Sequence, residues 1–68
     1  AQGKVLVSFV INTDGSVQDV RVENGIGFGA DEEAVRIVKA TDGRWKPGFQ
    51  RGRAVRVTYN LPINFSMN

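Results

Sequence analysis

Residues 55–65 read Val-Arg-Val-Thr-Tyr-Asn-Leu-Pro-Ile-Asn-Phe, a strict alternation of apolar and polar side chains. The odd positions hold Val55, Val57, Tyr59, Leu61, Ile63 and Phe65, and the even ones Arg56, Thr58, Asn60, Pro62 and Asn64. Successive side chains of a strand point to opposite faces, so this segment is a long β-strand with its odd side facing a core. Pro62 adds a second constraint. It has no N–H to give to a ladder, which confines it to an edge strand or a bulge. A long, regular edge strand leaves backbone groups free to pair with another chain. That edge is the first place to look for function.

The chain has 68 residues. A domain of this size buries only about 60% of the surface its unfolded chain exposes, so one domain with one modest core is expected. Four Phe, one Trp and one Tyr in a chain that is 41% hydrophobic supply that core and argue against disorder. No apolar run approaches the roughly 20 residues a membrane-spanning helix needs, and no signal-peptide pattern is present. The sequence has neither Cys nor His. Disulfides, ordinary zinc sites and His-activated nucleophiles are therefore out of reach. Asp31, Glu32 and Glu33 cluster at a helix start, where nothing raises a carboxyl pKa for acid–base work. The expectation is a protein that is not an enzyme and uses no cofactor or metal.

In chain order the pattern gives strand, strand, helix, strand. Lys4–Asn12 carries Val5, Leu6, Val7, Phe9, Val10 and Ile11, apolar on both parities, as suits a central strand. Asp14-Gly15 marks a tight turn. Ser16–Asn24 then sets Val20 and Val22 against Asp19, Arg21 and Glu23, completing a β-hairpin. Beyond the glycine-rich loop 25–29 the period becomes helical. Acids fill the first turn, where the helix dipole favours them, and Ala34, Ile37, Val38 and Thr41 form an apolar stripe. Gly43 is placed to end the helix. Residues 44–52 read as a connector.

A helix joining the second and third strands makes them parallel, by a right-handed crossover. The first strand, antiparallel to both, takes the centre. The expected fold is α+β: a small ββαβ domain, a three-stranded antiparallel sheet of order 2-1-3 with one helix packed on one face. The third strand is then an edge, in agreement with Pro62. Core positions are Phe9, Ile37, Val38, Val55, Val57, Leu61, Trp45 closing one end, and Tyr59 with its hydroxyl at the rim.

Two loops imitate ligand motifs. Gly25–Ala30 spells G-x-G-x-x-A between a strand and a helix, a dinucleotide-binding signature. The chain is too short for a doubly wound sheet, three acids would face the phosphates, and no acid follows Asp42 to hold a ribose, so a flexible loop is the better reading. Asn12–Ser16 with Asp19 resembles a calcium loop but lacks the preceding ligand and the bidentate Glu, so a hairpin turn is preferred.

Charge is uneven. All seven acids lie in residues 1–42, whereas residues 43–68 hold Arg44, Lys46, Arg51, Arg53 and Arg56 with no acid. A solvated rim that discourages edge aggregation, with a weak steering role, is favoured over a nucleic-acid site.

Five segments in this order and spacing resemble one family: 3–11 (GKVLVSFVI), 14–17 (DGSV), 31–35 (DEEAV), 45–48 (WKPG), and 52–57 with 61–65 (GRAVRV and LPINF). Together they are similar to the C-terminal domain of TonB, in the form found in Bacteroidetes, nearly end to end. The resemblance implies that residues 1–68 are this domain of an energy transducer. The membrane anchor, the periplasmic spacer and the family's segment before the first strand all lie outside this chain. It implies a periplasmic location, with a tether to the inner membrane and an ExbB–ExbD motor acting through the N-terminal part. It further implies capture of the TonB box, a short extended peptide of outer-membrane transporters, by strand addition at the third strand. The imported nutrients would be siderophores, cobalamin or glycans.

If the missing N–H of Pro62 faces outward, the even residues own the free edge. Arg56, Thr58 and Asn60 are then the candidate peptide-pairing residues, with Arg53 and Arg56 steering acidic flanks. A bulge between Val55 and Pro62 would invalidate that assignment. The alternatives are a TolA-like or other periplasmic interaction domain, a strand-exchanged homodimer, and a small nucleic-acid-binding module; the last is disfavoured.

Overall fold

The computed structural model describes residues 2–27 and 29–66; Phe28, within the glycine-rich loop, lies outside them. The elements are β1 (Gln2–Ile11), β2 (Val17–Asn24), α1 (Ala30–Ala40), β3 (Gly48–Gln50), β4 (Arg53–Val55) and β5 (Val57–Ser66). β2, β1 and β5 form one antiparallel sheet in that order, and β3 and β4 form a separate small hairpin. The ββαβ plan with the 2-1-3 order is therefore present. It is extended by a hairpin whose first strand and turn lie in the stretch 44–52 read from sequence as a connector, and whose second strand, β4, takes Val55 from the start of the strand read over 55–65.

The core is the odd face of β1 meeting one stripe of α1. Val5, Val7, Phe9 and Ile11 are buried, and so are Ala30, Ala34 and Val38, one residue per turn at a spacing of four. Small residues at 30 and 34 let the helix sit close to the sheet. Ile37 is half-buried on the flank of that stripe. The helix begins at Gly29, whose φ of 77° is left-handed, and its first turn carries Asp31, Glu32 and Glu33. Glu33 accepts from the Arg36 guanidinium one turn on, and this pairing holds its carboxyl below the usual range. Thr41 closes the helix: its Oγ1 donates to the Val38 carbonyl (2.6 Å) and accepts from the Trp45 indole Nε1 (2.6 Å).

Trp45, half-buried, leans on Phe9 and Tyr59, with ring centroids 5.4 and 5.5 Å away. Tyr59 corrects the sequence reading. It has the parity of the core face, yet it is 43% exposed. The reason is the helix position: α1 rests on β1 and β2, and over this part of β5 the rings of Phe9 and Trp45 pack against the tyrosine. Val55, Val57, Leu61, Ile63 and Phe65 are half-buried for the same reason.

The β1–β2 turn is built from its own polar groups. Asp14 Oδ1 accepts from the Ser16 N–H (3.0 Å) and the Ser16 hydroxyl (2.6 Å), while Asn12 Nδ2 donates to Ser16 and Gln18. Gly15 adopts φ 84°, and a Cβ there would collide with the Trp45 carbonyl. The Gly15 carbonyl in turn accepts from the Gly43 N–H (3.0 Å), and Asp42 accepts from the Val17 N–H (2.7 Å), so the turn and the end of α1 brace each other.

Val7 is fully buried at the centre of this core. Val7→Ala should cost about 2–3 kcal/mol through lost methyl burial and the remaining void. In urea melts the midpoint should fall while the m-value holds. The Ser16 hydrogen bonds lower the Asp14 pKa from 3.8. A lowered folded pKa contributes stability that is present above the unfolded value and lost as pH falls through the folded one. The Asp14 carboxyl should thus titrate below 3.8 by NMR, and Ser16→Ala should move the midpoint up toward 3.8.

Candidate functional site: the free edge of the sheet

The sheet has two edges, and they differ. Along β2 the register against β1 shifts twice, between Leu6 and Val7 and between Ser8 and Val10. Asp19 sits at φ 54° in the second irregularity. Bulges of this kind twist an edge and interrupt its row of free donors and acceptors. β5 has none. It pairs with β1 in ten consecutive steps from Gln2↔Ser66 to Ile11↔Val57, with no slip.

Within that ladder Pro62 stands opposite Leu6. An antiparallel ladder alternates between pairs that exchange both N–H···O bonds and pairs that exchange none. Proline has no N–H to exchange, so Leu6↔Pro62 is a pair of the second kind. The odd residues of β5 consequently bond to β1. The backbone N–H and C=O of Thr58, Asn60 and Asn64, and the C=O of Pro62, point away from the sheet. Of the range Val55–Pro62 in which a bulge would disturb this assignment, Val57–Pro62 has none, and the strand is interrupted at Arg56.

Arg56 lies between β4 and β5, outside both ladders. Its orientation follows from Gly48. A Cβ at Gly48 would meet Val57 Cγ1 at 2.7 Å and Val55 Cγ2 at 3.4 Å, so Val55 and Val57 project from the same face. Alternation is kept across Arg56, and 53–66 behaves as one strand. The turn of the β3–β4 hairpin has two residues, Arg51 (φ 54°) and Gly52 (φ 77°), the left-handed pair of a type I′ turn. Such a turn makes Gln50↔Arg53 a bonded pair, directing the odd residues of β4 to β3. β3 and β1 therefore flank the same side of the long strand. On its other side the even residues Ala54, Arg56, Thr58, Asn60, Pro62 and Asn64 form one continuous free edge. Eleven residues at about 3.3 Å each give it a length of roughly 36 Å, along a molecule whose longest extent is 46 Å.

The four residues singled out in sequence thus fall into two groups. Arg56, Thr58 and Asn60 are exposed and present backbone to the open side. Arg53 is exposed too, but its backbone is committed to Gln50, leaving its guanidinium as what it offers. Sequence reasoning counted Arg51 only within the basic segment and missed the hairpin that carries it. The dipeptide Arg51-Gly52 was the available signal, and arginine at a positive-φ position concealed it.

The glycine-rich loop is internally occupied. Asp31 Oδ1 accepts from the Ile26 N–H (2.9 Å) and the Gly27 N–H (3.2 Å), so these amides hold the protein's own carboxylate. In the Asn12–Ser16 turn, Asp14 Oδ1 accepts from the Ser16 hydroxyl and Ser16 Oγ accepts from Asn12 Nδ2.

Hydrogen exchange tests the assignment of the edge. Amides of Tyr59, Leu61 and Ile63 should be protected by β1, and those of Thr58, Asn60 and Asn64 should exchange at least tenfold faster in the same sample. Protection of both sets would show that the edge is already covered.

The model of the family described as Gram-negative bacterial TonB protein C-terminal matches residues 1–67. No curated protein and no solved structure gives a significant match. The chain belongs to the family of Gram-negative TonB protein C-terminal domains.

Proposed function

We propose that this domain is the periplasmic end of a TonB energy transducer and that it captures the TonB box of outer-membrane transporters by adding it as a fourth strand beside β5. The observation that carries this reading is the contrast between the edges: β2 is bulged, while β5 is unbroken and open over its whole length. An extended peptide laid along it gains backbone hydrogen bonds from Arg56, Thr58 and Asn60, and Pro62, with no donor to give, ends that run. Backbone pairing asks little of the peptide's sequence, which suits one adaptor serving several transporters.

The role is mechanical rather than catalytic. Force generated from the proton motive force by an ExbB–ExbD motor at the inner membrane would reach this domain through the N-terminal part of the protein. It would pass through the added strand to the transporter, driving import of siderophores, cobalamin or glycans. The same exposed edge supports a second mode, exchange of strands with another copy of the chain.

Two prolines discriminate. Asn60→Pro removes a donor that faces outward. The domain should stay folded, as Pro62 already shows that an even position accepts proline, and affinity for a TonB-box peptide should fall at least tenfold. Tyr59→Pro removes a bond to β1 and should destabilise the fold by about 3 kcal/mol or more. In an NMR titration of the wild-type chain the peptide should shift the amides of Arg56, Thr58 and Asn60 saturably. No shift in a sample shown to be monomeric would sink the reading.

A further inference from the structure

The free edge is lopsided in charge. At its β4 end stand three exposed guanidinium groups: Arg51 in the turn, Arg53 in β4 and Arg56 at the junction. From Val57 to Ser66 the strand carries no charge at all. The nearest cation at the far end is Lys4, one strand in, opposite Asn64. Among the described residues the ion pair is Arg36–Glu33, so these three arginines have no carboxylate partner within the described chain. Every acid of the protein lies at or before Asp42.

We propose that the β3–β4 hairpin anchors the acidic end of the peptide that adds to β5, so that charge sets the direction in which the peptide runs. This rests on the strand-addition reading above. The hairpin is suited to the task because β4 continues β5 without loss of parity. A peptide paired along residues 56–62 that extends beyond Arg56 is led past Arg53 and then Arg51 with its backbone still beside the same edge. The type I′ turn is short, so the backbone positions that carry the three arginines are set relative to the pairing residues.

Distance makes the selection effective. Arg53 and Asn64 are eleven residues apart, roughly 36 Å along the strand, whereas charges in physiological salt are screened over about 8 Å. Acidic residues at the hairpin end meet three cations; at the opposite end they meet Lys4 alone. A peptide with acids at its N-terminus therefore lies parallel to β5, and one with acids at its C-terminus lies antiparallel. An exposed ion pair is worth a factor of about 1.5–5 in affinity, so two acids should give on the order of three- to tenfold.

The test uses three synthetic peptides with blocked termini and one shared alternating Thr/Val segment. Two Asp residues stand at the N-terminus of the first and at the C-terminus of the second; the third has Asn at both ends. Each acidic peptide carries a nitroxide at its uncharged end. Titrated into the 15N-labelled chain at low salt, both acidic peptides should bind about three- to tenfold tighter than the neutral one, and about 0.5 M NaCl should abolish the difference. In both complexes the nitroxide should broaden the amides of Ile63 and Phe65 and spare those of Arg53 and Ala54. The R51N/R53Q variant, with its folding checked by amide dispersion, should lower the ratio of acidic to neutral affinity at least twofold, leaving only what Arg56 supplies. Equal affinities with shifts at Thr58 and Asn60, or a nitroxide signal that moves to the Arg53–Ala54 end with either peptide, overturn the anchor and leave strand addition standing. Silence at Thr58 and Asn60 with all three peptides overturns both.

Discussion

The ten-step ladder between β1 and β5 is the constraint on which the rest of the structure depends. In a strand, side-chain direction and backbone direction both alternate with period two. Fixing one fixes the other. Because Pro62 must turn its missing N–H away from β1, the even residues turn their backbone outward. The odd residues, all large and apolar, then bond to β1 and face the helix side. A slip of one residue would reverse both assignments together, exposing the apolar row and asking proline for a bond it cannot make. Register, core and free edge are thus settled by a single relation.

The two edges show what happens where that relation is relaxed. β2 needs two irregularities to stay paired with β1, and they interrupt its outer row of donors and acceptors. α1 also rests on β2 and β1 rather than on β5. One consequence is that Tyr59, despite core parity, packs on the rings of Phe9 and Trp45 and keeps 43% of its surface exposed. The helix stabilises the half of the sheet that is closed and leaves uncovered the half that is open. An edge long enough to aggregate is tolerable when polar and cationic groups stand along it, and Arg53, Arg56, Thr58, Asn60 and Asn64 supply these.

What could be read in the sequence was whatever has a strong period. The alternation of 55–65, the helical stripe of Ala34, Ile37, Val38 and Thr41 and the turn at Asp14-Gly15 gave the elements, and handedness gave the 2-1-3 order. Pro62 pointed to the open edge. The hairpin of β3 and β4 escaped because strands of three residues are too short to display alternation. Its turn also uses Arg51 at φ 54°, where glycine or asparagine is the usual signal. The sideways placement of α1 escaped for a different reason. Periodicity says which face of a helix is buried, and Ala30, Ala34 and Val38 satisfy that equally over any part of a sheet. The continuity of the edge past Arg56 is visible only through Gly48, which brings Val55 and Val57 together on one face.

For a domain that transmits force, as proposed, the arrangement has a mechanical logic. A peptide lying along β5 and pulled along its own axis loads its backbone bonds in shear, all at once, rather than peeling them singly. The even residues that can both donate and accept before Pro62 are Ala54, Arg56, Thr58 and Asn60. Each offers two bonds, whereas the domain's own hold on β5 extends over ten paired positions and adds the burial of Val57, Leu61, Ile63 and Phe65. The external joint is therefore the weaker one. In the proposed role it would part under rising load before β5 is drawn from β1, leaving the register of the domain intact. Pro62, by ending the added ladder, keeps the joint below the strength of the ladder behind it.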